Sequence, residues 1–358
     1  MTLPLGLFLL FLSHSIRTST GTLTCADVEE KGSGAAFRAE ELAGLTSLEQ
    51  EDLKKCTVLL GKERLSPNQS LAIWSAFIEV YGNAENIPEH ELQQMGWIKN
   101  GIPPSHFANL TLSDIDTVAS FGRCKELSSA QMENLRDAIS EQWLGKGLED
   151  FTSYDLAALR QILCSYNSTL IHIIHPDAYK DAAPELATIS NCSQDVVREL
   201  AALATDERAF GSPRGWTSVQ VGSVGCILAG LQSIADIPAE AFEGLTANIV
   251  ECLPSETFQE MTNLQVAHLS PFAANALSRR KLALGKDKNF ALHEAITGGS
   301  QAKKSSTTSS LDKALSHEQF NPQRDGQPQN IRELNPKAAA VKRDAIALMS
   351  CFFWIVGI

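Results

Sequence analysis

The sequence predicts an all-α fold: a superhelical stack of short helical repeats, an armadillo-like α-solenoid, followed by a disordered C-terminal stalk. Three observations carry that prediction. Apolar residues recur at helical steps of three and four, and alternating runs of β-branched and aromatic residues are scarce. Short helical phrases recur along the chain, each too small to bury its own apolar face. Residues 298–336 are rich in Ser, Thr, Gly, Gln and Pro, a composition that does not bury enough surface to offset the entropy of ordering.

Taken in order, the chain opens on Leu3–Leu12, an apolar run of signal-peptide length that is too short to span a bilayer. We expect a signal peptide at 1–21 and a helical-repeat ectodomain at 22–296. Leu71, Trp74, Phe77, Ile78 and Tyr81 mark a helix that stops at Gly82. A ten-residue unit follows at Ile87 and Ile102 and returns at Ile237 and Leu253: Ile or Leu, Pro, three variable residues, Phe or Leu, two more, then Leu or Met. Its Pro suits the first helical turn, where the missing N–H is unused. Its Phe and Leu lie three residues apart on one buried face. After Ser129, Met132, Leu135, Ile139 and Trp143 form another helical face.

A second phrase, FTSYDLAALRQIL from Phe151, returns as WTSVQVGSVGCIL from Trp216. It places Leu156, Leu159, Ile162 and Leu163 level with Val221, Val224, Ile227 and Leu228. LTLSDIDTVASFG from Leu110 is a looser copy, with Ile115, Val118 and Phe121 in register. Ser193 caps a helix whose inner face is Val196, Val197, Leu200 and Leu203. A leucine-rich repeat would need a unit of about 20–29 residues recurring several times, which the spacing here does not supply.

Beyond the helices we expect a flexible stalk at 297–337 and a cleaved attachment signal at 338–358, with Ala338 as the candidate site for a glycosylphosphatidylinositol anchor. The apolar tail from Ala345 to Ile358 is too short to cross a membrane comfortably. The spacer Val341–Asp344 is shorter than the usual pattern, and Asn335 is a poor acceptor because Pro336 follows it.

Four N-glycosylation sequons, at Asn68, Asn109, Asn167 and Asn191, become surface acceptors in a chain that enters the secretory route. The cysteines of the ectodomain are Cys25, Cys56, Cys124, Cys164, Cys192, Cys226 and Cys252, while Cys351 lies in the tail. With no C-x-x-C pair, structural disulfides are the better reading than zinc or thiol redox chemistry. Seven is odd, so at least one thiol is free or intermolecular, and the pairing stays open.

The phrases FTSYDLAALRQILC and GWTSVQVGSVGCILAGL, the units IPAEAFEGL and LPSETFQEM, and LQVAHLSPFAANAL from Leu264 together resemble the mesothelin, otoancorin and stereocilin superfamily over roughly residues 40–280. The resemblance implies a superhelical glycoprotein, secreted or lipid-anchored, that serves cell adhesion or attaches cells to extracellular matrices and gels. It implies an extracellular glycoprotein or matrix protein as partner. This chain is short for such a family, and Arg279-Arg280-Lys281 is not a clean furin site.

Composition and motifs point the same way. The chain carries 42 acidic against 30 basic residues, a net charge of −12 that argues against nucleic acid as a partner. No nucleophile elbow, phosphate loop, dinucleotide fingerprint or H-E-x-x-H is present, and no enzyme activity or cofactor is expected. On a helix His172 and His175 would share a face, but no nearby Cys or third His completes a ligand set, so they read as partly buried, hydrogen-bonded histidines. We therefore expect an adhesion glycoprotein on the outer face of the plasma membrane. The alternative is a secreted soluble ligand or matrix component without an anchor.

Overall fold

The computed structural model describes residues 23–143 and 145–298. The expected leader, the expected attachment signal and all but the first two residues of the expected stalk lie outside them. Among the described residues there are α-helices and 3-10 turns and no strand.

The helices are short. From the N-terminus they are α1 Cys25–Lys31, α2 Ala39–Leu42, α3 Gln50–Leu60, α4 Pro67–Tyr81, α5 Glu89–Gln94 and α6 Ile115–Gly122. The middle contributes α7 Ser129–Gln142, α8 Ser153–Leu159, α9 Ser168–Ile171, α10 Pro176–Leu186, α11 Gln194–Thr205 and α12 Ser218–Val224. The last five are α13 Ala247–Cys252, α14 Ser255–Glu260, α15 Asn263–Ala267, α16 Pro271–Arg279 and α17 Lys286–Thr297. Most start at a Ser, Thr, Asn or Asp whose side chain accepts from the first free N–H groups, as Ser66, Ser128, Thr152 and Thr262 do. Gly82, left-handed at φ 79°, closes α4 where the sequence places its end.

These pieces stack in two rows. One row runs α1, α3, α5, α6, α8, α10 and α12, then through the turn Ala239–Gly244 to α15 and α17, each packed on the next. In the other, α4 lies between the turns Ala43–Ser47 and Gly96–Gly101, and α7 between Pro104–Asn109 and Arg160–Ser165. Farther along, α11 lies between α9 and Gly225–Gly230, with α13 and α16 beyond. One apolar core runs the length of the stack between the rows. No short helix here buries enough alone, so each is stabilised chiefly by its neighbours.

The ten-residue unit places its apolar pairs as expected: Leu92 and Met95, Phe107 and Leu110, Phe242 and Leu245, Phe258 and Met261 are all buried. Its proline sits one residue earlier than the sequence suggests. Pro88, Pro103, Pro238 and Pro254 are the capping residues just outside the helix, not its first turn. The cap takes an extended ψ and makes no N–H bond within the helix, so the ring costs nothing there. Two other positions need correcting. Leu71 is exposed, and Ile73 takes its place in the core of α4. The looser phrase copy is shifted by three residues: Asp114 caps α6 as Thr152 caps α8, so Val118 and Phe121 occupy the places of Leu156 and Leu159, and Ile115 faces solvent.

Candidate functional surface

No constellation for covalent chemistry assembles among the described residues, and none of their His, Cys, Asp and Glu side chains form a group of three able to hold a metal. His172 and His175 are exposed, and each faces a carboxylate: His172 Nδ1 lies 3.3 Å from Glu199, and His175 Nδ1 lies 3.3 Å from Asp177. Arg208 stands 3.4 Å from the other ring nitrogen of His175. The expected shared helix face and partial burial do not hold: His172 ends α9 and His175 caps α10, so both stand in the exposed connection between the two helices.

The cysteines staple successive units. Cys25 on α1 is joined to Cys56 on α3, Cys164 in the turn Arg160–Ser165 to Cys192 before α11, and Cys226 in the turn Gly225–Gly230 to Cys252 at the end of α13. Each bond closes a loop of about one repeat, with sequence separations of 31, 28 and 26 residues. Among the described residues Cys124 is the free thiol. Burial pushes it up from the ordinary thiol range, which favours the protonated form at neutral pH.

All four sequon asparagines are exposed. Asn68 is the second residue of α4, and Asn109 closes the turn Pro104–Asn109. Asn167 caps α9, its Oδ1 accepting from the Thr169 N–H at 3.1 Å and from the Thr169 hydroxyl at 3.2 Å. Asn191 adopts a left-handed φ of 60°, beside the disulfide of Cys192. Ala338 lies outside the described residues.

What the repeats do present is an apolar side chain at one recurring position. Tyr154, Val219, Leu264 and Phe272 each stand two residues after a Thr or Ser cap, and they are 78%, 74%, 63% and 82% exposed. The core-facing positions of these helices lie four and seven residues after the cap. At about 100° per residue the second position points to the opposite side. Tyr154, Val219 and Leu264 belong to helices of the same row, α8, α12 and α15. Sequence reading aligned Tyr154 with Val219 but weighed only the inward positions of the phrase. Single exposed apolar residues are ordinary, but the same position left apolar in four helices is a recurring feature, interrupted in the row by Asp177 of α10 between α8 and α12.

No protein-family model matches the chain. It is similar to human otoancorin, at 28% identity over 301 residues that cover 79% of this chain and 26% of that protein. Mouse otoancorin matches at 28% identity over 71% of this chain and 22% of its own length. Mouse stereocilin matches at 23% identity over 72% of this chain and 14% of its own length. The chain thus spans about a quarter of the otoancorins and less of stereocilin. Otoancorin and stereocilin are homologues of this chain, in keeping with the superfamily that its repeated phrases resemble.

Proposed function

We propose that the chain is an extracellular attachment glycoprotein, N-glycosylated and held on the outer face of the plasma membrane by a glycosylphosphatidylinositol anchor, joining cells to a matrix protein. The observation that carries this reading is the similarity to otoancorin and stereocilin across some three quarters of the chain. Disulfide staples between repeats and four exposed sequon asparagines support passage through an oxidising, glycosylating compartment. None of the helices among the described residues is long and apolar enough to cross a membrane. We place the contact on the row edge that carries Tyr154, Val219 and Leu264.

The test is expression of the full chain in mammalian cells with an epitope tag after Thr24, followed by phosphatidylinositol-specific phospholipase C. Release of the surface signal into the medium is expected, together with loss of adhesion to matrix-coated plates. Retention on treated cells would overturn the lipid anchor. Secretion with the C-terminal segment still present by mass spectrometry would replace the anchored form with a soluble matrix component.

A further inference from the structure

The two rows of helices carry different groups on their outer surfaces. All four sequon asparagines fall in the row of α4, α7, α9 and α11: Asn68 in α4, Asn109 in the turn beside α7, Asn167 at the cap of α9 and Asn191 before α11. No helix of the row that runs through α6, α8, α10 and α12 has one. Glycans on these asparagines would clothe one row and leave the other bare. On the bare row the second position after the cap reads Asp116, Tyr154, Asp177, Val219, Glu240 and Leu264 from α6 to α15. Carboxylate and apolar side chain alternate without a break, and all six are exposed. The alternation begins at α6, because α5 has His90 at this position.

Neighbours in this row meet at their C-terminal ends, which puts their first turns on a common side. Gly122 at the end of α6 lies against the carbonyls of Ala158 and Leu159 at the end of α8. Arg160 after α8 pairs with Glu185 near the end of α10, and the Cys226 N–H after α12 donates to Ala187 O after α10 at 2.8 Å. His268 after α15 stands 3.4 Å from Glu243 near the end of the turn Ala239–Gly244. A carboxylate in a first turn is ordinary, because it meets the positive end of the helix dipole. The dipole gives no reason for an apolar residue at the same place on every second element. Nor are these carboxylates neutralised by lysine or arginine: Asp116 and Glu240 form no ion pair among the described residues, and Asp177 has only the His175 ring, 3.3 Å away.

Charge asks for a basic partner with apolar residues between its cations, and spacing selects the conformation. Packed helices stand about 8–10 Å apart. A polyproline II segment has three residues per turn and rises about 9.3 Å in that turn, so every third side chain lies on one face at the same interval. A β-strand sends every third side chain to the opposite face. A helix covers the interval in about six residues, which differ by about 240° around its axis. We propose that this edge binds a proline-rich segment in the polyproline II form, with Lys or Arg alternating with an apolar residue at every third position. Its cations meet Asp116, Asp177 and Glu240, and its apolar side chains lie on Tyr154, Val219 and Leu264. The inference rests on the attachment reading only for the segment's belonging to a matrix protein.

The experiment is fluorescence anisotropy of labelled synthetic peptides titrated with the purified full chain. One peptide repeats Arg-Pro-Pro-Leu-Pro-Pro, a second has the same composition with its arginines gathered at one end, and a third has Glu in place of Arg. The first is expected to bind, the other two at least tenfold more weakly. Asp116→Asn with Asp177→Asn is expected to lose tenfold or more of that affinity at an unchanged denaturation midpoint. Asp116→Lys with Asp177→Lys is expected to shift preference to the Glu peptide, a gain that a misfolded variant would not make. Failure of the first peptide to bind, equal binding of the gathered one, or undiminished affinity in the Asn variant would overturn the edge. Adhesion to matrix-coated plates is scored on cells carrying the same variants. Adhesion lost together with peptide binding upholds the proposal. Adhesion kept by variants that no longer bind the peptide overturns the edge as the attachment contact and leaves attachment itself standing. Peptide binding by a chain that adheres to no matrix would uphold the edge and overturn the attachment reading.

Discussion

At the scale of single residues, two positions hold conformations or charges that the fold tolerates at a cost. The Lys99 amine, at about 8 when folded, stands near 10.5 in the unfolded chain. Below pH 8 both states hold the proton and the folded state bears the full cost of burying it. Between pH 8 and 10.5 the unfolded chain binds more protons, so stability rises with pH across that window. In a Cys124→Ala background, which removes the opposing titration of the buried thiol in the same window, denaturant titrations should show a gain of about 1.5 kcal/mol from pH 8 to 9.5, and Lys99→Met should remove it. The window must stop short of pH 10, where the buried Tyr81 and Tyr179 hydroxyls, both pushed upward by burial, begin to act in the opposite direction. Gly225 is the second such position. Its φ is 56°, and an added Cβ would lie 2.1 Å from the carbonyl oxygen of Ala187 on the neighbouring unit. Gly225→Ala combines backbone strain with an overlap against backbone, and should cost about 3 kcal/mol in the same assay.

At the scale of elements, the units are joined by glutamines. Gln69, Gln131 and Gln265 each occupy the third position of a capped helix, where Oε1 accepts from the cap N–H at 2.8, 2.9 and 2.8 Å. Each then donates from Nε2 to carbonyls about thirty residues back. Gln69 reaches Ala35 and Phe37, Gln131 reaches Asn100 and Ile102, and Gln265 reaches Ile234 and Ile237. Ile102 and Ile237 open ten-residue units; Arg280 does the same for the unit that opens at Leu253. Gln131→Leu strands two carbonyls and a cap N–H, and should cost about 3 kcal/mol. Gln131→Glu keeps the cap but turns a carboxylate on the same carbonyls, so it should fare no better. A glutamine that acted only as a cap would tolerate it. Cys164→Ala with Cys192→Ala opens a 28-residue loop and should lower stability by about 3.5 kcal/mol, read as a drop in denaturation midpoint under non-reducing conditions.

At the scale of the whole molecule, attachment through a repeated edge predicts that function and stability separate. Tyr154→Ser, Val219→Ser and Leu264→Ser together should leave the denaturation midpoint nearly unchanged, because all three side chains are exposed, and should cut matrix adhesion several-fold. The fold was legible where the physics is local. The phrases at Phe151 and Trp216 name their own buried residues, and the helix over 71–81 ends at the glycine that ends it. Ile115 misled because an apolar residue beside a cap looks the same in sequence whether it faces in or out, and Leu71 because Ile73, two residues on, supplies the buried position of that turn of α4. The glutamine ties were half legible: S-P-N-Q, S-S-A-Q and T-N-L-Q are visible capping boxes, but nothing in a short pattern names a carbonyl thirty residues away. The cysteine pairing was equally closed to inspection, since it depends on which turns the stack brings together. Lys99 reads as one more surface lysine until α6 covers it.

The disulfides have one more consequence, for a protein pulled from its two ends. A closed loop does not lengthen under tension, so the stretches within Cys25–Cys56, Cys164–Cys192 and Cys226–Cys252 add almost nothing to the reach of the chain. Among the described residues the longest stretch outside any loop is 57–163, which contains α4 and α7. Drawn out fully, it would lengthen by several hundred Å, at about 3.4 Å per residue. Among the described residues an oxidised molecule under load therefore yields most in 57–163 and less in the shorter free stretches 193–225 and 253–298, and reduction would spread that give along the whole stack.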